Sequence, residues 1–302
     1  MTDHKTVPSP VGTLLRQWRA TRGRSQLELA MDLGVSQRHV SFVESGRSTP
    51  SRALLLALAN TLDVPLRDRN ALLLAAGYAP MYAEPAWDAA EMRVVHRALE
   101  RMLTQHEPYP ALVMDRHWNV LMTNDAAPRF FGQFIDLGRF PRPRNLLRLM
   151  FDPQGLRPFV ANWEEVAASL FQRIHREAVG GVLDGAMRAL VDELLAFPGV
   201  SSAWRAVEAA GNSPVVTIVF VKDGRRSAWF SMVSTVGTPQ TVSAQELRVE
   251  CMFPADDEPA GAGGQAGTRA CRATSRARST TKPVSPERAP SSEAGTAMPT
   301  PP

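Results

Sequence analysis

SQLELAMDLGVSQRHVSFVE, residues 25–44, reads as two short helices meeting at a tight turn. Ser25 offers a hydroxyl to cap the first helix, and Glu28 three positions on completes a capping box. Leu27, Leu29, Ala30 and Leu33 recur at helical spacing. Gly34 ends that helix as a residue free to take positive φ. Ser36 caps the second helix, and Ser45-Gly46 closes it. Stepping about 100° per residue from Gln37 brings Val40 and Val43 onto one side, which must be buried. Arg38, Ser41, Phe42 and Ser45 lie opposite, with Gln37 at the edge.

A helix, a short glycine turn and a second helix form the helix-turn-helix pattern. Its second helix presents its N-terminal residues to base edges in a DNA major groove. Gln and Arg are the side chains able to make bidentate contacts to adenine and guanine there. Gln37, Arg38, Ser41 and Phe42 are therefore the candidate base contacts, with a thymine methyl suited to Phe42. Arg47 and Arg52, just beyond this helix, suit phosphates, which position a protein without reading sequence; the alternative for each is a solvated surface charge. An αα-hairpin used only for packing has no need of Gln-Arg on its exposed first turn.

Residues 11–80 resemble the lambda-repressor-like, XRE-type helix-turn-helix family. The matching marks are Gln26, the turn Gly34-Val35-Ser36-Gln37, and Glu44-Ser45-Gly46-Arg47 followed by Pro50. The resemblance implies that Gln26 touches a phosphate, that Gln37, Arg38 and Phe42 reach bases, and that Arg19 on the first helix pairs with Glu44. Phe42 departs from the polar residue often found at its position. Leu14, Leu15 and Trp18 mark the first helix over 11–22. Ser51 caps a strongly apolar fourth helix, and Pro65 opens a fifth that ends at Gly77, which makes an all-α domain of five helices.

Charge follows this division. The net charge is +4 over 302 residues. Residues 1–80 carry +4, residues 81–258 carry −4 and residues 259–302 carry +4. A basic head supports the motif but is too weak to hold DNA without geometry. Hydrophobic residues make up 44% of the chain, enough for a substantial core. Two cysteines, Cys251 and Cys271, are no disulfide framework. No leader pattern and no apolar run near the roughly 20 residues of a membrane span are present, so a soluble, cytoplasmic protein is expected, without membrane partners.

Further organisation is expected as follows: a flexible lead at 1–10, a linker at 81–88, a second domain over 89–257 and a disordered tail at 258–302 rich in Gly, Ala, Pro, Ser and Thr. Within the second domain, a helix over 91–105 precedes two strands, 111–115 and 117–124. A helix follows near 125–131, then an irregular Arg- and Pro-rich stretch, 136–158. Helices near 163, 183–197 and 201–209 come next, with Gly180-Gly181 as a turn between two of them. Strands at 214–222 and 225–237 are joined at Lys222-Asp223-Gly224, a hairpin signal. A final strand starts at Glu246. This order suggests an α+β domain with an antiparallel sheet and helices packed on one side.

HEPYPALVMDRHWNVLMTN, PRNLLRLMFDP, NWEEVAASL and TVGTPQTVSAQELRVECMFPAD resemble the MmyB-like ligand-binding domain. That resemblance implies a PAS-like fold holding an apolar, fatty-acid-like ligand. The candidate pocket residues are Trp118, Asn124, Arg148, Met150, Phe151, Asn162, Trp163, Phe220 and Phe230. The pocket is expected between the 214–251 sheet and the 163–196 helices, with Trp163 and Phe230 as walls and Arg148 or Asn162 meeting a polar head group. The competing reading is an ordinary aromatic core with asparagines that cap turns.

No catalytic constellation is found. His4, His39, His96, His106, His117 and His175 form no metal-binding pair, and no P-loop or nucleophile elbow is present. No cofactor and no metal are expected. The sequence thus points to a sequence-specific transcriptional regulator, acting as a homodimer on a double-stranded operator, whose second domain senses an apolar molecule or serves only as a dimerisation or protein-interaction module.

Overall fold

The structure is a computed structural model that describes residues 10–177, 184–201 and 215–255. The expected lead up to residue 9, the Gly180-Gly181 turn, the helix at 202–209, and the tail beyond 257, with Cys271, lie outside the described residues.

Five helices come first: α1 Pro10–Thr21, α2 Gln26–Leu33, α3 Gln37–Glu44, α4 Arg52–Thr61 and α5 Leu66–Ala75. Local chemistry sets their limits. Ser25 accepts from the Glu28 amide while Glu28 returns a bond to the Ser25 amide, so two otherwise orphaned donors are satisfied together. Gly34 sits at φ 64° and ends α2. Ser36 caps α3 and Ser51 caps α4. Val11, Leu15, Trp18, Leu29, Val40, Val43, Leu55, Leu58, Leu72 and Leu73 close one apolar core. Gly12 lets α1 lie against the end of α3: a Cβ there would stand 2.5 Å from the Glu44 carbonyl oxygen.

Residues 81–85 are pinned on two sides. The Asn70 side chain accepts from the Met81 and Tyr82 amides and donates to the Tyr82 carbonyl. Ala83 and Pro85 accept from the Val242 amide and the Ser243 hydroxyl.

The α+β domain follows. Helix α6 (Arg93–Gln105) leads into β1 (Ala111–Met114) and β2 (Val120–Thr123). Helices α7 (Ala126–Gly132), α8 (Leu146–Phe151), α9 (Trp163–Glu177) and α10 (Gly185–Leu195) then precede β3 (Ile218–Lys222) and β4 (Arg225–Ser234). A one-turn helix, α11 (Val242–Gln245), and β5 (Arg248–Pro254) complete it. The five strands form one antiparallel sheet in the order β2-β1-β5-β4-β3. Asp223 and Gly224, at φ 50° and 74°, turn β3 into β4 as a two-residue hairpin. The α+β, PAS-like expectation is met.

The packing corrects one expectation. Helices cover both faces of the sheet, because β1 and β5 alternate apolar residues to either side. Leu112, Met114, Trp229, Phe220 and Met252 meet α7 to α10. Ala111, Val113, Val249 and Cys251 meet Leu99 and Leu103 of α6. The stretch 136–158 is also less irregular than expected: Asn145 caps α8. No helix among the described residues is long and apolar enough to cross a membrane.

Candidate nucleic-acid interface and ligand cavity

Helix α3 buries Val40, Val43 and Glu44 and leaves Gln37 and Arg38 exposed, with Ser41 and Phe42 half-buried. The angular reading of the sequence therefore holds side by side with the structure. Arg38 and Arg47 both lie over the Phe42 ring, their guanidinium carbons 5.0 and 5.7 Å from its centre. An aromatic face attracts a cation at that range, so Phe42 carries two positive charges towards one outward surface. Arg52 is exposed at the start of α4.

Beneath this surface the helix is clamped. The Arg19 guanidinium donates through Nε and Nη2 to both Glu44 carboxylate oxygens, at 2.6 and 3.0 Å. Glu44 is only 2% exposed. Gln26 Nε2 gives it a third bond of 2.8 Å, and Arg16 caps the Glu44 carbonyl at 3.0 Å. The hydrogen bond that Arg19 donates to Glu44 outweighs the cost of burial and, with the carboxylate's charge, holds Arg19 above the ordinary arginine value. One N–H of the Gln26 amide is thus taken by Glu44, and the amide carries a second one.

The nine residues singled out as pocket candidates are placed differently. Asn124 spends its amide on the backbone: Oδ1 accepts from Ala111 and Ala127, and Nδ2 donates to Tyr109 and Leu103. Asn162 bonds Thr217, Val219 and Glu165. Arg148 is paired in two bonds of 2.8 Å with Glu193. Trp118, Met150, Phe151 and Phe220 are buried core; Phe151 meets Trp163 and Phe171 edge-on, and Phe220 packs on Phe130 and Phe134. Trp163 lies under the Arg157 guanidinium. Phe230 is a correction. It stacks on Phe253, 5.5 Å away, on the α6 face of the sheet, since strand alternation sends it opposite to Trp229.

A cavity of about 460 Å³ lies elsewhere, and none of those nine residues lines it. Its walls are β2 with Leu112, the α7 residues Ala127, Pro128 and Phe131, the α8 residues Leu146 and Leu149, and the strap of Arg142, Pro143 and Arg144. The strap covers the β2 edge: Arg144 accepts from the Val120 amide at 2.7 Å, and Asn119 bridges Asn145. The Arg144 guanidinium is spent on the Leu137 carbonyl. Arg142 is exposed and, among the described residues, carries no ion pair. Sequence reasoning missed this wall. Its signal was Pro141-Arg142-Pro143-Arg144, where two prolines forbid a collapsed helix and hold the chain extended.

Comparison with known proteins adds to this geometry. The helix-turn-helix family matches residues 15–68. The HTH-type transcriptional regulator RghRB of Bacillus subtilis (strain 168) is 29% identical over 119 residues, covering 39% of this chain and 84% of that protein. Two solved structures are similar over about a fifth of the chain. The restriction-modification controller protein C.AhdI from Aeromonas hydrophila is 34% identical, covering 20% of this chain and 92% of that one, with a TM-score of 0.20. The clp gene regulator ClgR from Corynebacterium glutamicum is 32% identical, covering 23% and 86%, with a TM-score of 0.20. The MmyB-like transcription regulator ligand binding domain matches residues 95–262, more than half of the chain. The chain therefore belongs to the MmyB-like transcription regulators, with a helix-turn-helix region ahead of that family's ligand-binding domain.

Proposed function

We propose that this regulator reads a double-stranded operator through Gln37, Arg38, Ser41 and Phe42 and adjusts its grip when an anionic amphiphile, of the fatty-acid kind, enters the cavity beside β2. The observation that carries the DNA half is α3: a helix clamped from behind by Arg19–Glu44, with unclaimed Gln and Arg groups in front. Arg47, Arg52 and the second Gln26 N–H supply phosphate contacts along its rim. A homodimer would set two such helices about one DNA turn apart, roughly 34 Å.

The cavity supports the ligand half. At about 460 Å³ it falls within the size of small-molecule sites, its walls are largely apolar, and Arg142, with no ion pair among the described residues, stands at its rim. Burying an alkyl chain gains about 0.8 kcal/mol per CH₂, and an arginine favours a carboxylate head over a neutral one.

Selection of bound duplexes from a randomised pool should return one near-palindromic site. In the ligand arm, sodium dodecanoate should raise the melting temperature of the purified protein, and dodecanol should do so less. A randomised pool that yields no consensus would remove the first half of the proposal. Equal and null shifts with both amphiphiles would remove the second and favour a domain that only dimerises.

A further inference from the structure

One carboxylate touches both halves of the chain. Arg67 on α5 donates through Nε and Nη2 to Glu246 at 2.7 and 3.0 Å, a bidentate fork. Glu246 follows α11 and also accepts from Arg116 Nη1 at 3.0 Å. Arg67 reaches back to Glu84 at 2.9 Å, and the Leu66 amide donates to Gln245 at 2.8 Å. Arg116 further pairs with Asp184, which caps α10. Burial alone would raise the Glu246 carboxyl, but the bonds from Arg67 and Arg116 outweigh it and hold the group below the ordinary range.

Arg116 belongs to the β1–β2 turn, which is stiff. Asp115 accepts from the His117 and Asn119 amides and from the Asn119 side chain. The start of α8, which directly follows the cavity strap, grips the same turn, since Asn145 donates to the His117 carbonyl and the Leu146 amide to the Trp118 carbonyl. The turn then runs directly into Val120, a cavity wall. On the other side, α5 packs on α1, and α1 holds the end of α3 through Arg19.

We infer that Glu246 couples the cavity to the DNA-binding helices: by holding Arg67 and Arg116 at once, it makes a displacement of the cavity strap felt by α5, α1 and finally α3. This rests on the reading of the cavity as the ligand site. Coupling of this kind is reciprocal, so operator bound to α3 must be felt at the β1–β2 turn even with no amphiphile present.

That reciprocity allows a test from the DNA side. Amide hydrogen exchange is followed over residues 115–123 of the full chain, free and bound to the selected operator. Operator should slow exchange there at least threefold in the wild type. Glu246→Gln and Arg67→Gln should still bind operator but change exchange at 115–123 by less than 1.5-fold. Arg67→Gln keeps the Arg116–Glu246 contact, so it carries the test if Glu246→Gln does not fold. No operator effect in the wild type, or an equal effect in the variants, overturns the coupling. A second arm uses sodium dodecanoate. No effect of it at 115–123 overturns the cavity reading alone, because the operator arm still decides the coupling. Slowed exchange with unchanged operator affinity overturns the coupling alone.

Discussion

On α3, Gln37 and Arg38 face outwards with hydrogen-bonding groups that nothing in the described chain claims. In the α+β domain, Asn124 and Asn162 are as conspicuous in the sequence, yet Asn124 is consumed by backbone and Asn162 by backbone and Glu165. Arg148 is consumed by Glu193, whereas Arg142, which drew no notice, has no ion pair among the described residues. The difference teaches that residue type does not mark a recognition group. What marks it is hydrogen-bonding capacity left over once the fold has been satisfied.

The comparison is most exposed at its satisfied end. Glu44→Ala should destabilise the protein by ~3–5 kcal/mol, since it strands Arg19 and Gln26 over a buried site. Chemical denaturation of the full chain measures this, and a loss below ~1 kcal/mol would mean that the clamp is solvated. Asn124→Ala comes next, at about 3 kcal/mol, because two amides and two carbonyls lose partners. If the cost is instead confined to ligand binding, Asn124 is a recognition group after all.

Arg38→Ala tests the unsatisfied end. It should leave the melt unchanged and reduce specific operator affinity by ~1–3 kcal/mol at one base pair. A drop in thermal stability would show that its stacking on Phe42 is structural. The smallest effect belongs to Arg148→Ala, within ~1 kcal/mol, as both partners are nearly half exposed. The hydrogen bond from Arg148 holds the Glu193 carboxyl below its ordinary value. A depressed carboxyl contributes in full above its unfolded pKa of about 4.3, and the contribution is lost as pH falls through the folded value. Wild type and Arg148→Ala should therefore differ equally at pH 8 and 6 and converge as pH falls through the folded value of the Glu193 carboxyl.

Much of the helical head was legible because each decision is local. Caps at Ser25, Ser36 and Ser51 and the 3.6-residue period of α3 fix which side chains face out. The ligand side was less legible for a physical reason. Phe151, Phe220 and Trp118 fill a core, and the same residue types would line a pocket. Only tertiary packing, including the sheet register, separates the two, and it is a long-range property. Phe230 shows how much turns on it: one step along β4 from Trp229 puts it on the opposite face. Likewise, α11 is one turn long, and nothing in residues 242–246 states that they dock on α5, 179 positions upstream.

The segment after Tyr78 has the composition of a hinge, yet a protease meets bonds and not composition. With the Met81 and Tyr82 amides held by Asn70, and Ala83 and Pro85 tied to α11, that stretch is unable to thread extended into a cleft without first breaking several contacts. Nicking by a protease of broad specificity such as proteinase K should begin elsewhere, and a head fragment cut at residue 80 would be released with Arg67 deprived of both its carboxylates. Fragments made for study are therefore best ended beyond residue 85, where their solubility would report on the joint itself.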